Sequence, residues 1–335
     1  MTKKCLIITS IAGSSHPVLQ RYAEESAARS IQLIVVGDLK SPAAFDLPGC
    51  DFYSVDRQRA MPSALARLLP FNHYARKNLG YLAGMQNGAE IIIETDDDNL
   101  PYDAFWGERK RTATARQLVG CGWLNVYRYF TDSHIWPRGF ALEHIRDELP
   151  PLPDQVVADC PIQQGLASRN PDVDALYRLT LPLPVDFAQA DSLALGRDSF
   201  CPFNSQNTTW FREAFPLLYL PSYCSFRMTD IWRSFIAQRI AWECEWNILF
   251  HQSTVWQERN DHNLMNDFKD EIPGYLNNDR IFQELRVMQL QPGTGSIPGN
   301  LIACYQKLVD MDLIDPREMA LVDAWLEDIE TVLPR

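Results

Sequence analysis

The densest chemistry in the sequence is Asp96-Asp97-Asp98, which follows an apolar run at 91–93 after Glu94 and Thr95. Consecutive carboxylates repel one another and resist burial, so either a cation sits among them or they stay in water. In an extended segment alternate residues share a face, which would aim Asp96 and Asp98 at one ligand and Asp97 elsewhere. Their oxygens are hard ligands suited to Mg²⁺ or Mn²⁺, ions that commonly bridge diphosphates. A solvated acidic turn is the plain alternative. A phosphatase-type aspartate would sit after the first strand with a second Asp two residues on, whereas the first apolar run here leads into Ser and Gly. P-loop and dinucleotide glycine fingerprints do not occur.

The elements that position these residues read as alternating strands and helices. Residues 5–9 form an apolar run ending at the polar loop that begins with Ser10, and Pro17 opens a helix to about residue 30. A second run at 31–36 ends at Gly37-Asp38, a third lies at 52–55, and 72–87 reads as a helix closed by Gly88. The fourth strand, 89–93, leads to the aspartates. Such alternation predicts a parallel sheet with both faces covered, whose ligands gather at the carboxyl ends of the strands. Ser10, Asp38 and Asp96–Asp98 should then share one rim. The middle, 101–225, is irregular and Pro-rich; 226–249 reads as helical for most of its length. A polar stretch at 257–270 carries His262, and 275–335 reads as two or three helices split by Pro292-Gly293-Thr294-Gly295. The expectation is one α/β domain over 1–274, divided into a nucleotide-binding half (1–100) and an acceptor and metal half (101–274), with a helical extension at 275–335.

Composition narrows the partners. The net charge is −12, from 43 acidic and 31 basic residues, which disfavours nucleic acid or an anionic membrane as the main partner. The basic residues are mostly Arg, the better bidentate phosphate ligand. The eight Cys show no C-x-x-C spacing, so reduced, mostly buried thiols are expected. The first apolar run is short and broken by Thr9 and Ser10, reading as a strand rather than a signal peptide. No run approaches the roughly 18 apolar residues of a membrane helix. A cytoplasmic protein, which can self-associate, is the expectation.

Several blocks together resemble nucleotide-sugar enzymes of the GT-A fold: Arg76-Lys77-Asn78-Leu79-Gly80-Tyr81, Gly88-Ala89, and Glu94-Thr95-Asp96-Asp97-Asp98-Asn99. The resemblance continues through Trp136-Pro137-Arg138-Gly139-Phe140, the stretch from Asn170-Pro171-Asp172 to Tyr177-Arg178-Leu179, and Arg259-Asn260-Asp261-His262-Asn263-Leu264 with Asp267-Phe268. More narrowly the chain resembles the STELLO-like glycosyltransferases and, more distantly, the reversibly glycosylated polypeptides that act as UDP-arabinopyranose mutases. That resemblance implies an α/β, GT-A mixed sheet with helices on both faces. It also implies an Mn²⁺- or Mg²⁺-dependent enzyme moving a sugar from a nucleotide-diphosphate donor, UDP-type, to a glycan or other hydroxyl acceptor. A mutase, or a sugar-nucleotide-binding protein without catalysis, is the rival reading.

Carried onto this chain, the resemblance gives Asp96 to the ribose or metal, Asp98 to the metal and Asp97 to the donor site. His262 becomes the further metal ligand, with His251 as runner-up. Ser10 and Asp38 would meet the nucleoside. Arg76 and Lys77 would meet the nucleotide or its phosphates, and Asn78 a base or ribose. Arg138 corresponds to the mutases' sugar-bearing arginine, and its fork suits phosphate or sugar in any case. Asp230, opening the long aromatic helix, is either a helix cap or the base that deprotonates the acceptor. Trp232 offers a face for a sugar, while Asp172 and Asp174 read as turn or cap residues.

Overall fold

The computed structural model describes residues 2–258 and 263–333. Four strands open the chain: β1 (Lys4–Thr9), β2 (Gln32–Val36), β3 (Cys50–Tyr53) and β4 (Ile91–Thr95). Helices α1 (Pro17–Ala28), α2 (Val55–Arg59), α3 (Ala64–Leu68) and α4 (Lys77–Gln86) connect them. Short strands β5 (Asn99–Pro101), β6 (Thr112–Leu118) and β7 (Gly122–Trp123) follow, then β8 (Gln155–Asp159) and β9 (Ile162–Ser168). Helix α5 (Ala175–Thr180) leads to β10 (Leu193–Leu195), β11 (Ser199–Phe200) and β12 (Asn207–Phe211). The chain closes with α6 (Thr229–Glu243), β13 (Ile248–Gln257), α7 (Leu264–Val287), α8 (Ile297–Asp310) and α9 (Glu318–Val332).

The main sheet has the order β3-β2-β1-β4-β12-β9-β13-β10-β6-β8, with β5 paired to β13. β1 to β4 are mutually parallel, β12 runs against β4, and β9 and β13 return to the first direction. The carboxyl ends of β1, β2, β4, β9 and β13 therefore lie on one edge, together with the amino end of β12. Alternation along β1 sorts the two faces: Cys5 and Ile7 join the core under α4, while Leu6 and Ile8 join the one under α1. Gly80 lets α4 lie close to the sheet, since a Cβ there would come within 2.7 Å of Ile7 and Val36 methyls. This is a mixed α/β sheet with helices on both faces.

Two expectations change. The apolar stretch after α6 is not helical to residue 249; the helix stops at Glu243, Glu245 takes a left-handed turn (φ 57°), and Ile248–Gln257 is a ten-residue strand inside the sheet. The C-terminal helices are also part of the core rather than an appendage. α7 runs continuously through residues 274 and 275. Asp328 of α9 accepts from the Ser63 hydroxyl and the Ala64 and Leu65 amides, capping α3. The Trp325 indole donates to the Pro216 carbonyl, and Glu318 accepts from Tyr219, Ser222 and Tyr223.

Candidate active site

A cleft of about 400 Å³ opens along the strand-end edge. It is lined by Ser10, Asp38, Arg76 and Asp96–Asp98 from the first half of the chain and by Arg138, Asp172, Phe226, Arg227 and Asp230 from the second. The residues from β1, β2 and β4 meet there because each follows a strand whose carboxyl end faces this edge.

The aspartate run is a turn rather than an extended segment, so strict alternation does not apply and all three residues line the cleft. Asp96 accepts from the Tyr74 hydroxyl (2.7 Å) and the Lys77 ammonium (3.1 Å). Burial pushes its carboxyl up, and Lys77 and Tyr74 oppose that. Asp97 accepts from the Ser10 hydroxyl at 2.5 Å. Asp98 accepts from the Gln257 amide at 2.8 Å through Oδ2, while its Oδ1 is buried without a partner. Burial, and then the charges of Asp96 and Asp97, push Asp98 up to about 7. A buried carboxylate oxygen lacking a donor, beside two like charges, fits a divalent cation. Among the described residues, though, no three His, Cys, Asp or Glu side chains converge to hold an ion unaided. His262 lies outside the described residues, and His251 sits within β13 away from the cleft, its ring nitrogen against the Gln252 carbonyl.

Lys77 is fully buried and spends its ammonium on Tyr74, Asp96 and the carbonyls of Thr95 and Ser205. It braces Asp96 rather than meeting phosphate directly. Asn78 is also corrected: its amide is locked to the backbone of Leu220 in both directions (2.8 and 2.9 Å), away from any nucleotide. Arg76 is buried, donating Nε to Gln58 and Nη1 to the Leu69 carbonyl, and its Nη2 has no partner. Asp38 accepts from the backbone amides of Leu39 and His73.

The cleft residues from the second half of the chain are organised by Arg138. Its Nε and Nη2 donate to the two oxygens of Asp172 (2.8 Å each), and Nη1 and Nη2 donate to those of Asp230 (2.9 Å each). The remaining Nη1 hydrogen goes to the Arg227 carbonyl. All five guanidinium hydrogens are thus committed within the protein. Gly139 makes the segment possible: its φ is +86° and a Cβ would run into Ile231 of α6. Burial alone would push Asp230 up, but the charge and hydrogen bonds of Arg138 more than offset it and hold the carboxyl at about 2. The Ser205 amide donates to it as well. A carboxylate so held is a poor proton acceptor, so the base role expected of Asp230 does not suit its geometry. Nor does Asp230 cap α6 through its side chain. Trp232 is fully buried and donates to Asn278, which removes it as a sugar platform, while Asp174 caps α5 by accepting from the Tyr177 amide.

Sequence reading missed the ion pair behind these residues. Glu94 and Arg233 are buried and doubly bonded (2.8 and 3.0 Å), with the Trp210 indole and Tyr81 hydroxyl also on Glu94. The signal was present: an acid in an apolar strand and an arginine among Ile231, Trp232 and Phe235 each require a partner.

Fold and cleft together define a mixed α/β protein: a parallel first half, an antiparallel neighbour to the acidic strand, and carboxylates at the shared edge. A family model for the STELLO glycosyltransferases matches residues 227–333, the stretch running from the cleft wall into the C-terminal helices. Two Arabidopsis thaliana proteins are similar. "Probable glycosyltransferase STELLO2" is 26% identical over 326 residues, covering 89% of this chain and 41% of that protein. "Probable glycosyltransferase STELLO1" is 28% identical over 240 residues, covering 64% and 31%. The chain spans less than half the length of these relatives. Among solved structures it is similar to M. tuberculosis glucosyl-3-phosphoglycerate synthase (TM-score 0.40, 12% identity, 83% of this chain and 80% of that one). It is also similar to a mycobacterial protein (TM-score 0.44, 9% identity, 83% and 74%). No helix among the described residues is long and apolar enough to cross a membrane.

Proposed function

We propose that this chain is a glycosyltransferase that moves a sugar from a nucleotide-diphosphate donor, UDP-type, to an acceptor hydroxyl. The observation that carries the reading is the partnerless Oδ1 of Asp98 in a strand-end cleft with Asp96 and Asp97. Asp98, with Asp96 beside it, would hold Mn²⁺ or Mg²⁺, and His262 is proposed as the further ligand. When bound, such an ion neutralises the diphosphate as it leaves.

The protein's own groups do the rest. Asp38 and Arg76 lie at the nucleoside end, where the partnerless Nη2 of Arg76 offers a donor to a base carbonyl. Lys77 and Tyr74 fix the Asp96 carboxylate, leaving it oriented toward the ribose or ion. Ser10 steadies Asp97. Arg138 holds Asp172 and Asp230 on the acceptor side, where their remaining lone pairs can accept from sugar hydroxyls. The cytoplasmic location belongs to the same proposal.

The test is nucleoside diphosphate release from a panel of UDP- and GDP-sugars in Mn²⁺. Release from a UDP-sugar supports the reading. Tight donor binding without release points to a binding protein, and neither binding nor release contradicts the donor site itself.

A further inference from the structure

A chain of contacts leads along the cleft from the aspartate turn to an open aromatic ring. Asp97 accepts from the Ser10 hydroxyl, and the Ser10 carbonyl accepts from the Ser41 hydroxyl at 3.1 Å. The Ser41 hydroxyl in turn accepts from the Asp38 amide at 2.9 Å. The Asp38 carboxylate accepts from the His73 amide at 3.0 Å, and the His73 ring stands edge-on to Phe226 with 5.6 Å between centroids. Asp38 and Asp96 follow β2 and β4, which flank β1, so these two strand ends lie two interstrand spacings apart, roughly 10 Å. Through His73, Phe226 belongs to the β2 end of that interval.

Phe226 lines the cleft with 52% of its surface exposed, and a phenyl ring left open there gains free energy in proportion to the area a ligand covers. Its backbone is fixed on both sides. The Ser225 hydroxyl donates to the Asp270 carbonyl, Arg227 donates Nε and Nη2 to the buried Glu271, and the Arg227 carbonyl accepts from Arg138. An ion at the aspartate turn would pin a diphosphate there. The interval to the β2 end is then the length a nucleoside covers, and a flat heteroaromatic base arrives where the phenyl ring stands. Such stacking serves any base, because every base has a π-face.

Resting on the donor reading above, we propose that Phe226 is the nucleobase platform, with the base of the nucleotide stacked on its ring. Phe226 lies just ahead of α6, so the nucleotide touches both halves of the chain, and the Arg227 carbonyl ties the platform to Arg138. Because Phe226 is half exposed, truncating it removes little packed surface.

The test is calorimetric titration of the whole protein in Mn²⁺ with UDP and, as a probe that has no base, inorganic diphosphate. The wild type should bind UDP more tightly than diphosphate. Phe226→Ala should weaken UDP about tenfold and leave diphosphate affinity unchanged, while Phe226→Tyr keeps wild-type UDP affinity. Equal UDP affinity in the wild type and Phe226→Ala overturns the proposal. So does an equal loss of UDP and diphosphate in Phe226→Ala, which would mark a structural role. A wild type that binds diphosphate as tightly as UDP also overturns it, since the base then finds no platform. A wild type that binds neither removes the donor reading, and this inference with it.

Discussion

Arg138 and Asp230 face each other through two parallel hydrogen bonds, Nη1 to Oδ1 and Nη2 to Oδ2, both at 2.9 Å. The same guanidinium grips Asp172 from its other edge, so one cation compensates two carboxylates on the cleft wall. Removing it leaves both largely desolvated acids without a counter-charge. Arg138→Ala is therefore expected to lose about 3–5 kcal/mol of stability, read by urea unfolding at pH 7. Arg138→Lys should recover only part, because an ammonium cannot span two carboxylates as the fork does. A wild-type unfolding midpoint in Arg138→Ala would show that the triad is not structural.

Asp230 gives the pH dependence. An unfolded aspartate titrates near ~3.9, and the folded one is held at about 2 by Arg138. Its stabilisation is fully present above the unfolded value and fades as pH falls toward the folded one. Between about pH 4 and pH 2 the wild type should lose on the order of 2 kcal/mol that Asp230→Asn does not lose. Parallel stability curves for the two proteins across that window would refute the pairing. The same variant separates positioning from base chemistry: a lost base lowers transfer by roughly 10²–10⁴-fold and removes a limb of the pH–rate profile. The fork predicts that Asp230→Asn keeps that limb.

The acidic turn should show opposite effects in one variant. Burial and two neighbouring charges make ionised Asp98 unfavourable without a cation. Asp98→Asn is expected to raise the unfolding midpoint in EDTA above wild type. It should also abolish any rise in melting temperature on adding Mn²⁺. A lower midpoint in EDTA would mean that Asp98 is satisfied within the protein alone.

How far the sequence was readable follows from distance along the chain. Ser10, Asp38 and Asp96 could be placed on one rim because the rule needs only strand–helix alternation and the ends of β1, β2 and β4. Gly139 and Pro137 marked a special backbone at Arg138, but not which acids it meets, since Asp172 and Asp230 lie 34 and 92 residues away. Asn78 looked like a ligand group because its partner, Leu220, is 142 residues on, and Lys77 because its partners at Thr95, Asp96 and Ser205 all lie on other elements. β13 was read into the helix before it because the break between them is a left-handed Glu245 rather than a Gly, which leaves no local mark. The C-terminal helices carried no visible motif, since Asp328 caps a helix 264 residues earlier.

That last contact makes a further expectation. If 275–335 were an independent extension, removing α9 would leave the rest folded. Here the cut removes the cap on α3 and uncovers the surfaces beneath buried Trp325 and Glu318, so a chain ending at residue 312 should fail to fold cooperatively. Asp328→Ala is the milder version, with a loss of about 1–2 kcal/mol from the severed cap. Circular dichroism melts distinguish the cases, and a sharp wild-type transition in the truncated chain would restore the independent extension.

The central claim is an ion-assisted nucleotide site at Asp98, and calorimetric titration of UDP into the full chain addresses it most directly. With Mn²⁺ present, UDP should bind the wild type with at least tenfold higher affinity than in EDTA, and Asp98→Asn should bind no better with Mn²⁺ than without it. UDP affinity that is the same with and without Mn²⁺, or an Mn²⁺ effect that survives in Asp98→Asn, would contradict the account.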